Sequence, residues 1–434
     1  MTMKEGESFY IDGLGGQRTL YGEIAVGGAK NQALKMFVAA LLFEDEVRIK
    51  NVPDIEDVRR MVELIEVIGV EVIREAHDTY RLKRGDDIST TLPRALLQQF
   101  RAGVIAIGPL LAQYGRVTFY SPGGCRIGTR PIDISIVGLG ELGASIEYEL
   151  EDDCLLYDIT TASGGLRGGD VVLRIQSVSA TELLMMAATK AHGITTIHNA
   201  AMEPEIIALA DFLNECGAKI EGVGTPTITI TGGNDLRARG RTCHIIPDRI
   251  EAGTFAILGA LSARELTITN CNPSHLRVPL ELLRTVGVPL ECHDDRIVVR
   301  TPNRDIASQL LIKTHEYPGF PTDLQPQMVL FFTQVQGINT LFETIYESRF
   351  EYLDSLREMG ADIVLSTNHA IISGPTPLMG IEMPAIDLRA GMAFVLAAIV
   401  AEGGSVVHNV YNIRRGYEAI DKRLQNIGVS IERR

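Results

Sequence analysis

Six copies of one short pattern constrain the fold of this chain more than any other feature. Each copy is an amphipathic helix that ends at a glycine and leads directly into an apolar β-strand, and successive glycines are roughly 70 residues apart. A glycine in the left-handed conformation commonly ends a helix and redirects the chain. The pattern therefore predicts six copies of one α/β unit, with helix-ending glycines at Gly69, Gly143, Gly217, Gly287, Gly360 and Gly428.

Most copies carry a second helix and a strand upstream of this pattern, and another strand downstream. The upstream helices, expected over 30–43, 181–192, 250–263 and 392–402, are apolar on nearly all sides. Such helices are buried rather than half exposed, so we expect helices inside and sheets around them. The sixth copy lacks its last strand, and the strand expected at 8–16 resembles the missing piece. We therefore predict that the N-terminal segment completes the last repeat.

The length and the repeats together predict two domains. A chain of 434 residues exceeds the size at which a single hydrophobic core stops growing. Three repeats per domain place one domain at 30–246 and the other at 1–29 plus 247–434, with chain crossings near 28–31 and 246–248. A cleft between domains is the usual place for a ligand, so we expect the active site there.

Composition excludes several classes of function. A net charge of −14 argues against nucleic-acid or anionic-membrane partners, which require a basic face. The apolar runs at 37–43 and 392–400 are much shorter than the roughly 20 residues that span a bilayer. The six cysteines form no CxxC pair and the first residues lack a secretory pattern, which predicts a cytoplasmic protein. The nine histidines show no metal-binding spacing, so no metal is expected.

The segment SPGGCRIGTRPID, at 121–133, is the strongest candidate for chemistry. It places Cys125 between glycines and beside Arg126 and Arg130. Neighbouring guanidinium groups favour a thiolate, so Cys125 could act as a proton donor or nucleophile. A small buried cysteine in a turn is the alternative, and the local sequence alone does not separate the two.

Charged residues at several expected helix starts form a second group of candidates. Lys30 and Asn31 follow a glycine pair at the start of a helix, where free N–H groups favour anions; a solvated lysine is an equal alternative. Arg101 begins an otherwise apolar helix, where an unpaired charge facing the core would be costly. Asp323 is either a helix N-terminal charge or a general base.

The same position recurs in other repeats. Asp248 and Glu251 could cap the helix that follows the second crossing, and Ser177 could cap a helix or contact a ligand. The sixth repeat adds Asp387 and Arg389 at a helix start, with Arg414 and Arg415 nearby. Three-fold packing of the repeats would direct these helix N-termini to one electropositive surface.

These residues resemble, in order and spacing, the motifs of the UDP-N-acetylglucosamine 1-carboxyvinyltransferase family. The matching motifs are GGAKNQAL, FRAGVIAIGPL, PGGCRIGTRPID, SVSATE, EPEI, PDRIEAGTF, FPTDLQPQ, ETIYESRF, DLRA and RRGYE, and they cover essentially the whole chain. The resemblance implies an α/β enolpyruvyl transferase fold of two inside-out domains, each a trio of βαβαββ units. It also implies transfer of the enolpyruvyl group of phosphoenolpyruvate to the 3′-hydroxyl of UDP-N-acetylglucosamine, in peptidoglycan precursor synthesis, with no metal or organic cofactor.

The resemblance also implies roles for individual residues. It makes Cys125 a general acid and Asp323 the carboxylate that deprotonates the acceptor hydroxyl, while Lys30, Arg130 and Arg415 hold phosphate and carboxylate. The remaining expected substrate contacts are Asn31, Arg101, Pro131, Ile132, Asp133, Ser177, Val178, Ile345, Asp387 and Arg389.

Three positions depart from the family pattern and leave the acceptor open. Arg414 stands where an acid is usual, Gly103 where serine is common, and Ser179 where glycine usually follows the valine. An alternative reading is therefore a related enolpyruvyl transferase that acts on another acceptor such as UMP in specialised metabolism. A nucleotide-sugar binder without catalytic activity is a third reading, although the complete set of catalytic residue types argues against it.

Overall fold

A computed structural model describes residues 6–122, 132–301 and 307–434, which form two compact units. We call residues 6–27, 247–301 and 307–434 the terminal unit, because it holds both ends of the described chain, and residues 28–122 and 132–246 the central unit. The chain passes between the units at Gly27–Gly28 and at Ile246–Pro247.

The described strands are short and occur throughout the chain. In chain order they are β1 (Phe9–Asp12), β2 (Leu20–Ala25), β3 (Val47–Lys50), β4 (Val70–Ala76), β5 (Thr79–Arg84), β6 (Arg116–Tyr120), β7 (Ala144–Glu151), β8 (Cys154–Thr161), β9 (Asp170–Val172), β10 (Ile194–His198), β11 (Ile220–Glu221), β12 (Thr227–Thr231), β13 (Thr242–His244), β14 (Ala263–Thr269), β15 (Leu290–Cys292), β16 (Arg296–Arg300), β17 (Leu311–Lys313), β18 (Gly337–Phe342), β19 (Asp362–Ser366), β20 (His369–Gly374), β21 (Glu382–Pro384), β22 (Gly404–His408) and β23 (Ser430–Arg433).

Helices alternate with these strands. They are α1 (Lys30–Ala39), α2 (Glu56–Val67), α3 (Arg94–Gln99), α4 (Ile107–Tyr114), α5 (Asp133–Glu141), α6 (Val178–Ala188), α7 (Pro204–Glu215), α8 (Arg249–Ser262), α9 (Arg277–Val286), α10 (Gln325–Thr333), α11 (Leu353–Glu358), α12 (Leu388–Val400), α13 (Val410–Arg414) and α14 (Ile420–Gln425). Short 3-10 helices cover Ala40–Leu42, Arg101–Ala106, Pro273–Leu276 and Thr322–Leu324.

Each unit contains three sheets with one recurring topology. The sheets of the central unit have the strand orders β13-β3-β5-β4, β6-β8-β7 and β9-β10-β12-β11, and those of the terminal unit β2-β14-β16-β15, β17-β18-β20-β19 and β21-β22-β1-β23. In the four-stranded sheets the first strand runs parallel to the second and the others pair antiparallel. The order β9-α6-β10-α7-β11-β12 is thus a βαβαββ unit, which confirms the predicted fold class.

Two sheets pair strands that are far apart in the sequence. β2 precedes the central unit in sequence but pairs in parallel with β14 of the terminal unit. In the same way, β13 ends the central segment and pairs in parallel with β3 of that unit. Pairing between strands that are distant in sequence therefore completes the three sheets of each unit among the described residues.

The N-terminal strand completes the last repeat, as predicted. β1 lies between β22 and β23 and pairs antiparallel with both, with Phe9 opposite Val407 on one side and Arg433 on the other. The chain ends of the terminal unit are therefore joined by backbone hydrogen bonds.

The apolar helices form the interior of each unit. Every residue of α8, α10 and α12 is buried, and these three helices contact one another in the terminal unit. In the central unit α6 contacts α4, and eight of the ten residues of α1 are buried. Burial on all sides explains why these sequences show no polar stripe.

The helix-ending glycines adopt the predicted conformation. Gly287, for example, has φ +103° at the C-terminal cap of α9. The equivalent glycines at 69, 143, 217, 360 and 428 also have positive φ. Within the described ranges, no helix is both long enough and apolar enough to cross a membrane.

Candidate active site

The three inner helices of the terminal unit begin at acidic residues that differ in their contacts. Asp248 accepts hydrogen bonds from the backbone N–H groups of Ile250 and Glu251, at 2.8 and 3.1 Å, and thereby caps α8. Asp387 caps α12 in the same way. Both residues satisfy N–H groups that a helix start leaves free.

Asp323 lies in the first turn of the 3-10 helix Thr322–Leu324, a position that agrees with a helix N-terminal charge. Its carboxylate is held by two arginines: Arg349 Nη2 lies 3.0 Å from Oδ1 and Arg389 Nη2 lies 2.9 Å from Oδ2. The arginine side chains are only 2% and 6% exposed, whereas that of Asp323 is 28% exposed. Nearby positive charge favours the ionised carboxylate, which is the form that accepts a proton.

Arg389 links the starts of all three inner helices. Burial disfavours its charge, but the carboxylates of Asp323 and Asp248 outweigh burial and raise the pKa of Arg389 above the ordinary arginine value. Its Nη1 lies 3.5 Å from the Tyr417 hydroxyl, which in turn lies 2.9 Å from Thr254 Oγ1 in α8. Burial raises the pKa of Tyr417, so this hydroxyl remains neutral.

Ile345 lies in a loop that a buried carboxylate organises. Oε1 of Glu343 accepts hydrogen bonds from the backbone N–H groups of Ile345 and Tyr346, at 2.8 and 3.1 Å. Oε2 of Glu343 accepts one from the hydroxyl of Thr322, the residue before Asp323, at 2.8 Å. The Ile345 loop and the Asp323 segment are therefore held by one side chain.

Arg415 directly follows α13 and is partly exposed. Its neighbour Arg414 is the position at which the family usually has an acid. Arg414 Nη1 forms an ion pair with Glu7 Oε2 at 3.1 Å. An arginine at this position thus has a local acidic partner within the terminal unit.

In the central unit, Lys30 is the first residue of α1 and is held by a carboxylate. Its Nζ lies 2.6 Å from Oδ2 of Asp57, in the first turn of α2, and the two side chains are 14% and 5% exposed. Asn31 follows at an intermediate level of exposure. The pair holds a lysine at the start of α1, where the helix dipole favours an anion.

Arg101 begins a 3-10 helix rather than the expected α-helix, and α4 follows at Ile107. Gly103, the second departure, is buried in that segment. A Cβ at Gly103 would lie 2.8 Å from side-chain atoms of both Leu64 and Leu97. Local packing therefore explains the glycine without reference to a ligand.

The expected nucleotide contacts in the described chain lie at two helix starts of the central unit. Asp133 is the first residue of α5, after Ile132, and forms an ion pair with Arg174. Ser177 caps α6 through a 3.3 Å hydrogen bond from the N–H of Ala180, and Val178 is the first helical residue. Ser179, the third departure, is exposed. Cys125, Arg130 and Pro131 lie outside the described residues.

Sequence reasoning missed Asp57, Arg349 and Glu343. Arg349 and Glu343 belong to the ETIYESRF segment, where an arginine and two acids among apolar residues were a signal. Asp57 had no comparable signal, because an acid in the first turn of a helix is common. Among the described residues, no cluster of three or more potential metal ligands occurs.

Residues 14–424 match the family described as EPSP synthase (3-phosphoshikimate 1-carboxyvinyltransferase). The fold and the sequence thus define the chain as a carboxyvinyltransferase. Among curated relatives, a UDP-N-acetylglucosamine 1-carboxyvinyltransferase of Desulfatibacillum aliphaticivorans is 40% identical, over 96% of this chain and 98% of that protein. One from Koribacter versatilis is 42% identical, over 96% of this chain and 95% of that protein. The chain therefore belongs to the UDP-N-acetylglucosamine 1-carboxyvinyltransferase family.

The fold is also similar to that of a solved structure. The enolpyruvyl transferase NikO from Streptomyces tendae superposes with a TM-score of 0.86, covering 99% of each chain at 22% sequence identity. At this identity the similarity concerns the fold alone.

Proposed function

We propose that this protein transfers the enolpyruvyl group of phosphoenolpyruvate to the 3′-hydroxyl of UDP-N-acetylglucosamine and releases phosphate. The observation that carries the proposal is the 37–42% identity, over about 96% of the chain, to relatives named for this acceptor and this group. The described residues support the proposal. The reaction needs a base and positive charge beside anionic groups, and the chain supplies the Asp323 carboxylate and the cations Lys30, Arg389 and Arg415.

The first step is an addition in which two proton transfers accompany one new bond. The acceptor oxygen bonds to C2 of phosphoenolpyruvate as Asp323 takes the hydroxyl proton, and an acid protonates C3. Cys125 is the proposed acid, since the arginines beside it in sequence favour exchange of a thiol proton near neutral pH. The product of this step is a tetrahedral intermediate that carries phosphate and carboxylate.

The second step expels phosphate and restores the double bond. C3 returns a proton to the thiolate of Cys125 as the C2–O bond to phosphate breaks, and phosphate leaves with the electron pair of that bond, so that the enol ether remains on the acceptor. Lys30, Arg101, Arg389 and Arg415, together with Arg130, are proposed to stabilise the anionic groups through these steps. Asn31, Ile132, Asp133, Ser177, Val178, Ile345 and Asp387, with Pro131, are proposed to contact or position the substrates.

We propose the cytoplasm as the compartment for this reaction. The described cysteines, at 154, 216, 243, 271 and 292, are free thiols. Free thiols without disulfides are typical of a reducing compartment.

The decisive experiment measures phosphate release from phosphoenolpyruvate in parallel reactions with UDP-N-acetylglucosamine, with UMP and without an acceptor. Mass spectrometry of the products identifies the acceptor. We expect release only with UDP-N-acetylglucosamine, together with its enolpyruvyl adduct. Release with UMP alone would support the alternative acceptor, and binding without any release would support a non-catalytic protein.

A further inference from the structure

Glu343 is a buried carboxylate that receives four hydrogen bonds. It follows β18 and is 4% exposed. In addition to the Ile345 and Tyr346 N–H groups, Oε1 accepts a hydrogen bond from the Thr314 hydroxyl at 2.9 Å, and Oε2 accepts the bond from Thr322 at 2.8 Å. Burial of a charge is tolerated when it is hydrogen-bonded in this way.

The four donors come from three separate segments of the terminal unit. Thr314 follows β17, Thr322 belongs to the 3-10 helix that contains Asp323, and Ile345 and Tyr346 lie in the loop after β18. Thr314 also forms an isolated parallel β-bridge with Phe320, two residues before Thr322. A single carboxylate thus fixes the spacing between the segment of the proposed base and a loop proposed to contact substrate.

The hydrogen bond between Thr322 and Glu343 restrains Asp323 from a direction that its arginine partners do not. Arg349 and Arg389 hold the two carboxylate oxygens of Asp323. Thr322, by contrast, holds the backbone from which Asp323 extends. Both restraints fix the position of the carboxylate, because a displaced backbone would move the Asp323 oxygens away from the two arginines.

We infer that Glu343 is a positioning residue for the proposed transfer, acting on Asp323 through Thr322 and on Ile345 through the loop backbone. This inference rests on the proposed function. It assigns no contact with substrate to Glu343. Loss of its hydrogen bond to Thr322 should displace the base, and a displaced base lowers the rate of the chemical step more than it weakens binding.

Two threonine substitutions form the matched test, because each removes one hydroxyl that donates a hydrogen bond to Glu343. Thr322→Val removes the bond on the Asp323 side, and Thr314→Val removes one on the opposite side together with the bond that the Thr314 hydroxyl accepts from the N–H of Thr344. We expect Thr322→Val to lower kcat about tenfold, with the KM of each substrate within about twofold of the unsubstituted protein. Thr322→Ser, which keeps the hydroxyl, should restore kcat, and Thr314→Val should leave kcat within about twofold.

Substitution of Glu343 itself tests the loop. Glu343→Ala removes all four bonds, so we expect both a lower kcat and a higher KM for UDP-N-acetylglucosamine. Glu343→Gln keeps an oxygen for the two N–H groups and can donate its amide to Thr322, so most activity should remain. Thermal midpoints monitor folding of each variant. If Glu343→Ala does not fold, the comparison of the threonine variants still decides the question.

The outcomes separate this inference from the proposed function. Equal kcat losses in Thr322→Val and Thr314→Val, or an unchanged kcat in Thr322→Val, would overturn the positioning role while the unsubstituted protein remains active. An unsubstituted protein that releases no phosphate with UDP-N-acetylglucosamine would overturn the proposed function first, and this inference with it.

Discussion

Arg389 places Nη2 2.9 Å from Oδ2 of Asp323, although the two residues are 66 positions apart in the chain. Each begins, or lies just before, an inner helix of the terminal unit, so packing of α10 against α12 brings them together. The contact shows that the buried helices do more than fill the core. Their N-terminal ends supply the charged groups of the candidate site.

Asp323→Asn tests the assignment of the base. Asparagine has nearly the same shape but accepts no proton at neutral pH, so we expect kcat to fall by about two to four orders of magnitude. The KM for phosphoenolpyruvate should change little. Steady-state phosphate release gives both constants, and the thermal midpoint shows whether Arg349 and Arg389 tolerate the loss of their partner. A kcat within about twofold of the unsubstituted protein would exclude Asp323 as the base.

Asp57→Asn tests whether Asp57 orients Lys30. Without the charge of Asp57, the lysine side chain must be ordered when the phosphate binds, which costs about 0.5–1.5 kcal/mol. We therefore expect the KM for phosphoenolpyruvate to rise about two- to tenfold, with a smaller change for UDP-N-acetylglucosamine.

The matched control for this prediction is Asp54→Asn, three residues upstream. Asp54 forms ion pairs with Arg59 and Arg74. The Asp54→Asn substitution should therefore leave the KM values of both substrates unchanged. An unchanged or lower KM for phosphoenolpyruvate in Asp57→Asn would contradict the orienting role.

Cys125→Ser tests the proposed acid. A serine hydroxyl is a much weaker acid than a thiol, so the variant should bind UDP-N-acetylglucosamine but lose most of its turnover. The epoxide fosfomycin should add its mass to the intact protein when the nucleotide sugar is bound, and Cys125→Ser provides the control without that thiol. Undiminished turnover in the variant would rule out the acid role, and an unmodified mass of the unsubstituted protein would argue against a reactive thiol.

The elements that the sequence predicts well are those that local rules determine. A glycine after an amphipathic helix needs positive φ, and a helix that is apolar all round must be buried, so the repeats and inner helices were predictable. Pairings between distant residues follow no local rule. Asp323 was more typical of a helix cap in sequence, and only tertiary packing brings Arg349 and Arg389 to its carboxylate.

The central unit contains a buried charge cluster of Lys35, Glu182, Glu203 and Glu205. Lys35 Nζ in α1 lies 3.1 Å from Oε2 of Glu182 in α6, and the Glu182 side chain is fully buried. Burial raises the pKa of Glu182 to about 7, Lys35 opposes that shift, and Glu205 and Glu203 add to it. Because the folded protein binds this proton more tightly than the unfolded chain, stability from this group is lost as pH rises from about 4.5 to about 7.

Glu182→Gln carries no titrating proton, so the free energy of unfolding of this variant should fall less steeply with pH over that range. The slopes should differ by up to about 1.4 kcal/mol per pH unit. Urea unfolding at several pH values measures both slopes, and Glu221→Gln, at an exposed position, is the control that should match the unsubstituted protein. If the slope for Glu182→Gln equals that of the control, Glu182 titrates with an ordinary pKa and the cluster does not bind a proton near neutral pH.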